Sequence, residues 1–256
     1  MHRIVSLKPL TGSDICAKSS LLEERSFMTL TAIAVVGPNG SGKTSLAAKL
    51  ARATDGAIVN ADKTYVFRGF PIGTGLADTL KEPGVERHLY ELLEPDEPLF
   101  STDTYVGMVR EVCADLSRRG RTPIIEGGST TFVPALLDSN AETPFIRRIV
   151  GLMPPHESVF RRLARKRVDI ALQEGLIEET RRGLERYRDT LLMRTCRAIT
   201  PIIRHLDGAI GLDAAKQEMV DGCIEYARLQ MAAFARFPEI EWIPCGRADI
   251  GHVLSR

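Results

Sequence analysis

Thr31 to Ser45 reads TAIAVVGPNGSGKTS, and the rest of the chain is arranged around it. A short apolar run leads into a glycine-rich turn that closes on Lys-Thr, and the helical pattern LAAKLARA follows. The turn fits G-x-x-x-x-G-K-[ST], with Gly37, Gly42, Lys43 and Thr44 on the fixed positions and Gly40 as a further glycine. Such a turn points several backbone N–H groups at phosphate oxygens and adds the partial positive charge of a helix N-terminus. A lysine and a hydroxyl complete it. The residues from Gly37 through Asn39, Gly40, Ser41 and Gly42 to Lys43 and Thr44 therefore form a candidate cradle for a diphosphate or triphosphate, with Thr44 as candidate ligand of Mg²⁺. The fold expected is a P-loop α/β protein, with a mostly parallel sheet flanked by helices and a helical C-terminal lid region.

Outward from the cradle, Asp55-Gly56 turns the chain into a second apolar run, AIVNAD, that ends on Asp62. Strand ends of an open parallel sheet face the ligand crevice, so this carboxylate is placed for chemistry. An N-cap for the next segment is the plain alternative. KTYVFRGFPIGTGLAD, aromatic and glycine-rich, reads as a loop with a short helix, suited to lining a pocket for a flat ligand. RHLYELLEPDEPLF reads as a strand and a proline-punctuated loop. Ser101-Thr102-Asp103 caps a helix with Tyr105, Val109, Val112 and Leu116 on its apolar face, and Gly120 stops it. PIIEGGST is another short buried strand, with Gly127-Gly128 at its carboxyl end and Ser129 as a candidate ligand contact. FIRRIVGLM is a further strand. Residues 156–189 read as one strongly helical, arginine-rich stretch, two further helices cover 192–208 and 212–237, and EWIP is a last strand. Three regions are expected: an unassigned extension over 1–28, a P-loop core over 29–150, and a helical region over 151–256 that closes the donor site and includes the last short strand.

At 256 residues the chain is long enough for a substantial core. Its 34 basic and 33 acidic residues leave a net charge of +1, so no global field draws it to nucleic acid or membrane. Local clusters such as Arg161 to Arg167 must carry any polyanion contact. Cysteines at 16, 113, 196, 223 and 245 form no C-x-x-C pair, which argues against a zinc site or a disulfide framework and fits a reducing cytoplasm. No apolar run approaches the roughly 18 to 20 residues of a membrane span.

Several separated segments agree with one family. GPNGSGKTSLAAKLA, NADKTYVFRGFPIGTG, RHLYELLEP, RGRTPIIEGGST, RVDIALQEGLIEE, RAITPIIRHLDG and EYARLQMAAFARFPEIEWI follow one another in the order of the isopentenyltransferases. The sequence resembles that family, which includes the tRNA dimethylallyltransferases and the adenylate isopentenyltransferases of cytokinin synthesis, and it looks closest to the adenylate type. The resemblance implies transfer of a prenyl group from dimethylallyl diphosphate to the exocyclic N6 of an adenine, with Mg²⁺ as cofactor. The P-loop then holds the diphosphate leaving group. Asp62 falls on the family's aspartate that takes the N6 proton, with Lys63 and Ser129 beside the acceptor. Lys43 and Arg197 fall on its basic catalytic positions, and Arg167 is a candidate for the terminal phosphate, with Arg161 and Arg165 weaker ones.

Three departures from the family bear on the substrate. Asn39 stands where the family usually has threonine; its amide can still donate to the donor's bridging oxygen. Met193 and Leu229 match positions that are polar in members taking a hydroxylated donor. An apolar pocket would leave that hydroxyl unpaired at a cost of roughly 1 to 3 kcal/mol, so the plain dimethylallyl donor is expected. Leu136 to Arg167 is too short for the helical insertion with which tRNA-modifying members grip the anticodon stem. The expectation is therefore a free adenine nucleotide as acceptor, with tRNA disfavoured. tRNA dimethylallylation, a small-molecule kinase and a regulatory nucleotide-binding module stay open.

Overall fold

In the computed structural model, residues 32–255 are described; the N-terminal extension assigned to 1–28 lies outside them. β1 (Ala32–Val36) carries five apolar residues that are all buried, as a strand covered on both faces requires. The P-loop follows, then α1 (Lys43–Ala53), β2 (Ala57–Asn60) and a single 3₁₀ turn at Lys63–Val66. Two short helices, α2 (Pro71–Thr74) and α3 (Leu76–Leu80), precede β3 (Arg87–His88). Next come α4 (Thr102–Arg118), β4 (Pro123–Gly127), α5 (Phe132–Glu142) and β5 (Ile146–Met153). The helical part is α6 (Glu157–Gln173), α7 (Leu176–Tyr187), α8 (Leu191–Thr195), α9 (Ile199–Leu206) and α10 (Leu212–Phe234), followed by β6 (Glu241–Pro244) and α11 (Ile250–Leu254).

The six strands run in the order β3-β2-β4-β1-β5-β6, and every pairing is parallel. After β1 the chain steps outward to β2, and β4 later returns to fill the gap between them. The carboxyl ends of β1, β4 and β2 thus lie side by side, where an open α/β sheet places its ligand crevice. One apolar layer packs α4 and α5 on one face through Tyr105, Val109, Phe132 and Leu136, with α10 reaching it through Phe234. α1 covers the other face through Leu46, Ala47 and Leu50, joined by Val253 of α11. α6, α7, α9 and α10 share a separate core of Phe160, Val168, Leu176, Ile202, Met219 and Ile224.

Two long helical expectations break where the site needs them to. The run 156–189 divides at Gly175, whose φ of +103° lets the chain reverse from α6 into α7. The run 192–208 divides at Cys196, whose extended backbone (ψ 116°) ends α8 and leaves Cys196, Arg197 and Ala198 free to line a cavity. The division expected between 150 and 151 falls inside β5. β6, the last short strand expected in the C-terminal region, pairs with β5 and completes the same sheet. Ser101 caps α4 by accepting from the Thr104 amide, and Gly120 (φ +71°) ends it.

Candidate active site

The cradle begins with the backbone of three glycines. Gly37, Gly40 and Gly42 have φ of +146°, +78° and +91°, a region that side chains make costly. Space is short as well: a Cβ on Gly37 would stand 2.7 Å from the Leu152 carbonyl, and one on Gly40 would stand 2.9 Å from the Phe160 ring of α6. Gly42 is the N-cap of α1, so the helix's free amides open on the turn. A second glycine pair closes the floor. A Cβ on Gly127 would overlap the Ala61 backbone, and one on Gly128 would stand 2.6 Å from the Gly37 carbonyl.

Gln230 of α10 ties these pieces together. Fully buried, it accepts from the Asn39 amide at 3.2 Å and donates to the Gly128 carbonyl at 2.6 Å. It had no place in the sequence reading, although a glutamine between Ala227 and Phe234 on the buried seam of a helix is a legible signal. Lys43 and Thr44 both face Glu126 at the end of β4. The Lys43 ammonium lies 3.9 Å from Glu126 Oε1, and the Thr44 hydroxyl donates to the same oxygen at 3.1 Å. Burial pushes the Glu126 carboxyl up, and the Lys43 charge opposes it.

Asp62 follows β2 and is 6% exposed. The capping alternative holds, and the residue also reaches a cavity. Oδ1 caps the 3₁₀ turn, accepting from the Thr64 amide and hydroxyl at 3.1 and 2.8 Å, while the Asn60 side chain fixes the Asp62 amide. Oδ2 accepts no hydrogen bond among the described residues, and the residue lines a cavity of about 300 Å³.

That cavity brings together six of the expected residues. Asn39, Asp62, Lys63, Arg167, Arg197 and Leu229 all line it. Its apolar wall is Ala164, Val168 and Ala171 from α6 and Met219 from α10, and Tyr65, Ile72 and Gly73 form another side. The Arg197 guanidinium lies 4.0 Å over the Tyr226 ring, a cation–π contact that holds it in place. Burial, with the Asp62 charge next, pushes the Tyr226 hydroxyl up to about 12. Arg167 pairs with Asp78 at 3.2 Å.

Other expected residues sit elsewhere. Met193 is 1% exposed inside the core, against Phe70 and Gly183, and does not line the cavity; packing against α7 claims it. Ser129 is spent as a helix cap, its hydroxyl accepting from the Thr131 and Phe132 amides, and Thr130 lines the cavity in its stead. Arg161 and Arg165 brace α6 on α10 through Asp221 and Gln217. Among the described residues the four cysteines are unpaired, no cluster of three His, Cys, Asp or Glu side chains forms, and no helix is long and apolar enough to cross a membrane.

Fold and site together define a P-loop α/β protein whose phosphate cradle opens beside a cavity bearing a carboxylate and two arginines. Residues 65–149 and 139–236 match the family model for IPP transferase, and the chain belongs to that family of prenyl-transferring enzymes. A tRNA dimethylallyltransferase from Solibacter usitatus is 42% identical over 44% of this chain and 36% of its own length. One from Koribacter versatilis is 26% identical over 82% of this chain and 91% of its own length. A crystallised tRNA isopentenylpyrophosphate transferase from Staphylococcus epidermidis superposes with a TM-score of 0.75 over 88% of this chain and 96% of that one, at 21% identity, which speaks for the fold.

These relatives overturn the expectation that tRNA is disfavoured and that the chain lies closest to the adenylate type: they bear the tRNA-modifying name. The Koribacter alignment runs over 287 positions but takes in 82% of this 256-residue chain, so the relative has some tens of residues with no counterpart here. That difference sets this chain apart from the Koribacter relative within one family.

Proposed function

We propose that the protein transfers a dimethylallyl group from dimethylallyl diphosphate to the N6 amine of an adenosine in tRNA. The observation that carries the reading is the shared cavity: Asp62, with a free carboxylate oxygen, lines the same roughly 300 Å³ space as Asn39 of the cradle, Arg167, Arg197 and an apolar wall. The diphosphate end of the donor takes the glycine amides, Lys43 and the α1 N-terminus. Its five-carbon chain takes the apolar side formed by Ala164, Val168, Met219 and Leu229.

The reaction breaks the bond between C1 of the donor and its bridging oxygen and forms a bond from C1 to N6. The electron pair of the broken bond leaves on the diphosphate, where the cradle amides, Lys43, Asn39 and Arg197 meet the developing charge. An exocyclic amine is a poor nucleophile because its lone pair is delocalised into the ring. Asp62 Oδ2 accepts a hydrogen bond from N6 and takes its proton as the carbon arrives. Tyr65 and Lys63 border the acceptor side, and Arg167 reaches the terminal phosphate.

Mg²⁺, when bound, neutralises part of the diphosphate charge. The residues present fit it: Thr44 offers an oxygen in the cradle, and Glu126 beside it keeps one buried oxygen without a partner. Thr44 and Glu126 are the residues that would hold it, directly or through water.

The test is incubation with dimethylallyl diphosphate and an adenosine-containing anticodon stem-loop, read by mass spectrometry of the RNA. A prenyl mass gain on the adenosine is expected. Phosphate release from ATP without any prenyl transfer, or prenylation that spares RNA, overturns the reading.

A further inference from the structure

Glu126 enters the chemistry above only as a carboxylate beside Thr44 that fits Mg²⁺. In the sheet it stands level with Asn60 of β2 and Val35 of β1, and its carboxylate is 1% exposed. Oε1 is accounted for by Thr44 and Lys43, whereas Oε2 is buried with no hydrogen-bond partner. Arg87 and Asp62 are the other charged groups that act on it, and neither bonds it. An orphaned carboxylate oxygen is costly in a protein interior, and an apolar residue would fill a strand end of this kind without that cost.

Two features make a ligand sense of it. The Thr44 hydroxyl has one proton, and it donates that proton to Glu126, which leaves the lone pairs of Oγ1 free for a cation. The remaining Oε2 is a hard anionic oxygen of the kind that Mg²⁺, or a water bound to it, takes.

We infer that Glu126 belongs to the divalent-cation site: it orients Thr44 Oγ1 by accepting its proton in a hydrogen bond, and it receives a metal-bound water on Oε2. The inference deepens the reading above, since it rests on the cradle holding a diphosphate. A competing role, in which Glu126 serves only as counter-ion to Lys43, has a different consequence. Its loss would then free the lysine for phosphate and leave the metal unaffected.

The probes are inorganic pyrophosphate and Mn²⁺, the latter followed by electron paramagnetic resonance, with pyrophosphate affinity measured separately in chelator. Glu126→Gln keeps the shape and removes the charge. Mn²⁺ bound together with pyrophosphate is expected to weaken by about tenfold to a hundredfold, as for groups that orient metal ligands. Metal-free pyrophosphate is expected to bind as well as to the unaltered protein or better, because a negative charge has left the cradle. A packing role would instead weaken both. Unchanged Mn²⁺ affinity in the variant, with pyrophosphate still bound, overturns the role of Glu126 and leaves the diphosphate reading standing. Failure of the unaltered protein to hold pyrophosphate overturns that reading, and the inference with it. Should Glu126→Gln not fold, Glu126→Asp carries the test: it keeps the charge but withdraws the oxygen, so Mn²⁺ should weaken while pyrophosphate stays, and an unchanged Mn²⁺ affinity overturns the inference.

Discussion

Asp62 shows how one side chain can be held by local structure and, on the proposed mechanism, still serve as base. Oδ1 is tied to Thr64 by two hydrogen bonds, which holds the carboxylate, and Oδ2 is left without a hydrogen-bond partner among the described residues in a side chain that lines the cavity. A base held this way needs no reordering as the amine approaches. Asp62→Asn keeps the oxygen that caps the turn and removes the proton acceptor. Turnover is expected to fall about 10²- to 10⁴-fold, with pyrophosphate affinity unchanged, measured by single-turnover rates and by titration. A variant retaining near-normal turnover would exclude Asp62 as base. Arg197 is fixed by comparable means, its guanidinium resting on the Tyr226 ring.

At the scale of elements, the helical region is latched to α2 by polar contacts at the rim of the cavity. Glu179 of α7 is buried and accepts from the Ile72 and Gly73 amides at 3.0 and 2.7 Å, at the start of α2. It meets donors that a four-residue helix cannot satisfy internally. Burial raises its carboxyl, and those two amides pull the other way. Glu179→Ala strands both donors, so a loss of about 2 to 3 kcal/mol is expected in urea denaturation; a loss below about 0.5 kcal/mol would show that water replaces the carboxylate. Ile72 and Gly73 themselves line the cavity, so the same variant should raise the acceptor's KM more than it lowers kcat.

At the scale of the whole molecule, charge balance and length bear on how RNA would be held on the proposed reading. The net charge is +1, and arginines of α6 such as Arg161 are spent on partners within the fold. A chain with no counterpart for some tens of residues of its Koribacter relative has fewer groups there to place on phosphates. Binding of an anticodon stem-loop should therefore depend weakly on salt, with log affinity falling against log salt at a slope no steeper than about −3, as for a handful of phosphate contacts. Fluorescence anisotropy across a salt series measures it. A slope near −7 would mean an extensive basic face that the fold as described does not present.

Local pattern alone settled the P-loop, the parallel α/β class, the caps of α4, and Asp62 at the end of β2. Each is a short-range signal: a glycine forced to positive φ, an apolar run, or a hydroxyl before a helix. Tertiary structure alone decided which residues share the cavity. Ser129 and Thr130 are neighbours in sequence, yet one is consumed by capping and the other reaches the cavity. Met193 and Leu229, paired in the sequence reading, part company in space. The break at Cys196 carries no glycine or proline, and the Asn39–Gln230–Gly128 tie joins residues more than a hundred positions apart. Such choices depend on what packs against a residue from distant chain, and no local spacing encodes that.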